Sequence, residues 1–110
     1  MKKFIKQKLS LIIEEYPLHS FLNPKILKEM EDISFGMSYK TNVKAQMSEW
    51  HTTTPSIEVI KKLVCDILLR YDSSLSNYHL SIHECWISSY NKGESAQFHD
   101  HALSPYSFVY

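Results

Sequence analysis

Tyr90-Asn91-Lys92-Gly93-Glu94-Ser95-Ala96-Gln97-Phe98-His99-Asp100-His101 reads as a tight turn leading into a strand that carries two histidines. Asn91-Lys92-Gly93 supplies turn residues, and Gly93 is free to take positive φ. In extended chain, residues i and i+2 share a face. His99 and His101 can therefore reach one metal ion together, while Asp100 points the other way unless the strand breaks. Imidazole suits iron, zinc, copper and nickel. Two ligands do not complete a site, so a third must come from elsewhere. A lone His-x-His pair is a weak signal, more often a solvated loop than a metal site.

Upstream, Tyr78 to Tyr90 alternates as a strand should: Leu80, Ile82, Glu84, Trp86, Ser88 and Tyr90 fall on one face. The turn then connects it to a second strand carrying Phe98 to His101. Ala102 to Pro105 interrupts, and Tyr106 to Tyr110 starts a third. Before these strands lies the clearest helix signal. Thr54 caps, Pro55 takes the first turn, and Ile57, Ile60, Leu63, Val64, Ile67 and Leu68 form one apolar stripe ending near Tyr71. Lys61, Lys62 and Arg70 make its solvated face. Asn23-Pro24 predicts the start of a shorter helix running to about Asp32. Ser34 to Trp50 has little periodicity and reads as loop with short extended pieces, anchored in the core by Met47 and Trp50. Lys6 to Glu15 fits either a helical face or a strand.

The spacing Tyr90-x-x-Gly93, five residues, then His99-x-His101 resembles the iron-binding core of prolyl 4-hydroxylase-type 2-oxoglutarate/Fe(II) oxygenases, where the last motif is His-x-Asp. Glu84 to Gly93, His99 to His101 and Ser104 to Tyr110 resemble the phage-type members of that superfamily. So do Tyr16-Pro17-Leu18-His19 and the tract Thr41 to Trp50, and the resemblance spans most of the chain.

What it implies is a single α+β domain over residues 1–110, with N-terminal helices packed on the first strands of a double-stranded β-helix, or jelly roll. It also tips Lys6 to Glu15 towards a strand. The cofactor implied is Fe(II), with 2-oxoglutarate as co-substrate and hydroxylation of a peptide side chain or a small molecule as the activity. By motif position His99 is the first metal ligand and His101 the second, with Asp100 as the alternative to His101. Tyr90 takes the position that hydrogen-bonds 2-oxoglutarate, or else packs as an aromatic at a strand end. Trp86 either walls the pocket or fills the core. The chain departs from the family in two ways. His101 stands where the family has a carboxylate, and the jelly roll is incomplete, the distal histidine and the 2-oxoglutarate-pairing basic residue being expected beyond Tyr110. The expectation is therefore an oxygenase that is truncated and inactive as these 110 residues. The alternatives are a non-catalytic metal-binding fragment or a cupin-like jelly roll, whose pattern usually has more glycine near its histidines.

Twelve basic residues balance twelve acidic ones, so no polyanion partner is indicated and nucleic acid is excluded as an expected partner. An apolar fraction of 44% argues for a folded core. Lys6 and Lys8 interrupt the N-terminal apolar run, no cleavage site follows, and no stretch approaches a membrane span. Cys65 and Cys85 belong to no Cys-x-x-Cys motif and read as buried free thiols, which fits a reducing cytoplasm, the host's if the gene is a phage's. His19 and His51 fall in loop tracts. His79 and His83, about 13 Å apart along a strand, are too distant to share an ion.

Overall fold

The computed structural model describes residues 11–37, 43–96 and 105–110. In chain order these form α1 (His19–Glu29) with a 3-10 turn Met30–Asp32, then β1 (Gly36–Met37), β2 (Val43–Lys44) and β3 (Gln46–Met47). There follow α2 (Pro55–Tyr71), a 3-10 turn Ser73–Asn77, β4 (Ser88–Ser89) and β5 (Ser95–Ala96). All pairing between these strands is antiparallel, in a ladder ordered β1-β3-β4 and a second pair, β2-β5. Among the described residues, these two ladders do not amount to the two facing sheets of a jelly roll.

Helix α2 forms as its sequence dictates. The Thr54 hydroxyl accepts from the Ile57 amide at 3.1 Å, and Pro55 occupies the first turn, where its missing N–H costs nothing. Ile57 and Ile60 are buried, whereas Leu63, Val64, Ile67 and Leu68 are only half-buried. The buried end of the stripe is thus the N-terminal one, where α2 packs against α1. There the Glu29 carboxylate accepts from the Thr54 hydroxyl at 2.8 Å, the Ser56 hydroxyl at 3.0 Å and the Ser56 amide at 3.3 Å. Partial burial pushes this carboxyl up, but those hydrogen bonds and the charge of Lys25 outweigh it and hold it below its ordinary value. Thr54 therefore joins two helices as well as capping one. Thr54→Ala is expected to lower stability by about 1 kcal/mol, with Thr54→Ser retaining most of it, as measured by urea denaturation.

Helix α1 begins earlier than Asn23-Pro24 suggested. The chain turns at Pro17, the His19 amide donates to the Tyr16 carbonyl at 3.1 Å, and the Leu22 amide donates to Leu18 at 3.1 Å. Pro24 lies inside the helix, so the Ser20 carbonyl loses its usual helical donor. The early start places Leu22 in a buried position, and burial of that side chain outweighs the local cap signal. Residues 11–16 are irregular, so the described part of the Lys6–Glu15 tract is not a strand.

Around the ladders, Ala45 and Met47 are buried and Trp86 packs against them. Trp50, expected as a core anchor, is 51% exposed, its ring centre 6.5 Å from that of Trp86. Buried Ser48 does the anchoring instead. Its amide donates to the Ile87 carbonyl at 2.9 Å, and its hydroxyl accepts from the Ile87 amide and from the Thr52 hydroxyl, both at 2.8 Å. The long strand expected over Tyr78 to Tyr90 is reduced to Ser88–Ser89 and a bridge at Cys85. Its alternation is real from His79 to His83, where exposed and half-buried residues take turns, but that stretch pairs with no strand among the described residues. Tyr106 to Tyr110 is likewise irregular. It lies against α1, where the Tyr110 hydroxyl donates to Asn23 Oδ1 at 2.6 Å. No helix among the described residues is long and apolar enough to cross a membrane.

Candidate functional site

The motif turn is formed as the sequence reads. The Glu94 amide donates to the Asn91 carbonyl at 3.0 Å, and Gly93 sits at φ 88°. With φ negative at Lys92 and positive at Gly93, this is a type II turn, which needs glycine at its third position. The Asn91 side-chain amide donates to Glu94 Oε1 at 3.0 Å and braces the turn.

This turn does not join two strands of one hairpin. Before it, β4 pairs with β3 through Gln46–Ser89 and Met47–Ser88; after it, β5 pairs with β2 through Val43–Ala96 and Lys44–Ser95. The continuous run 43–47 thus accompanies both flanks of the turn, and residues 90–94 bulge out opposite Ala45. Tyr90 opens the bulge and is 48% exposed, so it does not pack as a core aromatic. Trp86, by contrast, takes the core role against Ala45 and Met47.

His99, Asp100 and His101 lie outside the described residues. What the structure places is the chain that leads to them: β5, held on β2, ends at Ala96. Beside it, Glu94 Oε2 is buried with no hydrogen-bond partner among the described residues. An orphaned carboxylate oxygen is costly and is the kind of group a cation satisfies. Imidazole and carboxylate together are donor chemistry that fits Fe(II).

The remaining polar groups divide clearly. Arg70, the chain's one arginine, forms an exposed ion pair with Glu14 at 3.6 Å. Both cysteines are free and half-buried. Burial pushes the Cys85 thiol up; the charge of Lys61 opposes that shift slightly and the charge of Glu58 adds to it. Among the described residues no three His, Cys, Asp or Glu side chains converge on one point. Two features escaped the sequence. Glu94, half-buried, has one carboxylate oxygen occluded in its turn, signalled only by the Asn91-x-x-Glu94 spacing. His51 and His83 bring their ring centres to 6.0 Å, a pairing that no local pattern announces.

Comparison with known proteins returned no match, whether to a family model, a curated protein or a solved structure.

Proposed function

We propose that the chain carries the iron-binding portion of a 2-oxoglutarate/Fe(II)-dependent oxygenase with a jelly-roll scaffold. One observation supports this most. Tracts Thr41–Trp50 and Glu84–His101 both resemble that superfamily, and their described parts pair with each other on either side of a glycine turn. Two stretches of sequence that carry the resemblance thus meet across two successive ladders.

In this proposal His99 and His101 hold the metal, with Asp100 as the alternative to His101, and Tyr90 donates its hydroxyl to 2-oxoglutarate. Bound iron with 2-oxoglutarate and oxygen supplies oxidative decarboxylation of the co-substrate coupled to hydroxylation of a C–H bond. The turn fixes where β5 begins. Exposure of Tyr90 leaves its hydroxyl open to a ligand. A peptide side chain is the proposed substrate class, and the reducing cytoplasm the proposed setting.

Anaerobic equilibrium dialysis tests the assignment. The chain should retain 2-oxoglutarate only when Fe(II) is present, and His99→Ala should abolish that retention; iron-independent retention, or none, overturns it. Turnover is a separate matter. The motif offers two imidazoles, and Arg70 is engaged by Glu14, so no guanidinium is evident for the distal carboxylate of the co-substrate. Succinate formation by these 110 residues is expected to be negligible even with iron and ascorbate.

A further inference from the structure

We propose that His51 and His83 form a second metal site, a two-imidazole chelate on the surface for a first-row divalent cation such as Cu2+, Ni2+ or Zn2+. Backbone hydrogen bonds hold the two residues together. The Cys85 amide donates to the Trp50 carbonyl at 2.8 Å, and the Thr52 amide donates to the Cys85 carbonyl at 3.1 Å. His51 lies between those two bonds and is bridged to Cys85, and His83 precedes Cys85 by two residues. Their ring centres are 6.0 Å apart and their planes inclined at 78°.

That spacing suits a shared ion. With metal–nitrogen bonds of about 2.1 Å and a ring centre roughly 1.1 Å behind each nitrogen, two imidazoles on one ion have centres up to about 6.4 Å apart. A small rotation of either ring closes the angle at the metal, and near-perpendicular planes keep the rings from colliding. Both residues are exposed, so an ion reaches them freely and water completes its shell. Among the described residues, neither imidazole is engaged in an ion pair. Neutral imidazoles with open positions favour borderline cations, Cu2+ most of all.

Calorimetric titration with Ni2+ in a His99→Ala, His101→Ala background isolates this pair from the motif histidines. One residual site is expected, weakened at least fivefold by His51→Ala and by His83→Ala, and unchanged by His79→Ala. No residual site, or a smaller loss with either substitution, overturns the proposal. Should the background fail to fold, Cu2+ added to the unmodified chain up to two equivalents, enough to fill the motif histidines as well, decides by NMR. Selective broadening of the His51 and His83 ring signals together supports the site, and broadening of only one or of neither overturns it.

Discussion

Ile60→Ala is expected to destabilise the chain by about 2–5 kcal/mol, the range for large-to-small changes in a core. Ile60 is one of few apolar side chains buried among the described residues, and with Ile57 it lies at the end of α2 that meets α1. Truncating it leaves a void where little else can collapse inward. A loss of that size is a large fraction of the total stability of a small domain. Urea denaturation should show a lower midpoint with unchanged slope. Leu63→Ala and Ile67→Ala should cost less, because both are only half-buried. Equal losses at Ile60 and Ile67 would show instead that the whole stripe is covered.

The second large effect concerns iron. His99→Ala with His101→Ala should eliminate anaerobic Fe(II) binding, since same-face spacing and the motif select this pair. Retention of Fe(II) at unchanged affinity by the double variant rules the pair out. Asp100→Ala separates the two ways of completing the motif: little change assigns the ligand to His101, and a loss as large as that of His99→Ala assigns it to Asp100. Weaker Fe(II) binding at His51 and His83 is separated by repeating both measurements in a His51→Ala background.

How much of this was legible in the sequence depended on whether the deciding forces were local. α2 was readable because Thr54, Pro55 and the apolar stripe all act within a few residues of each other. The Gly93 turn was readable for the same reason, because positive φ selects glycine. α1 was displaced because its start is set by burial of Leu22, a tertiary effect that overrode the Asn23-Pro24 signal. Tyr78 to Tyr90 had the period of a strand, but a strand needs a partner, and among the described residues only its last part finds one. Trp50 was misplaced because large aromatics signal burial only on average, whereas Ser48 is buried here because its amide and hydroxyl both bond Ile87. Of the candidate site, the turn and Tyr90 were located by motif spacing. The approach of His51 to His83 depends on which carbonyl the Cys85 amide finds, and composition and periodicity are silent on that.

The bulge at residues 90–94 also supplies slack. Gln46 faces Ser89 while Lys44, two residues earlier, faces Ser95, six residues later. The surplus is absorbed by the loop, so each flank keeps its own register on the run 43–47. Insertions or deletions inside the loop should leave both pairings, and so the registers of β4 and β5, untouched. Length changes within 90–94 should therefore be tolerated, unlike changes in a turn that closes a hairpin and sets its register.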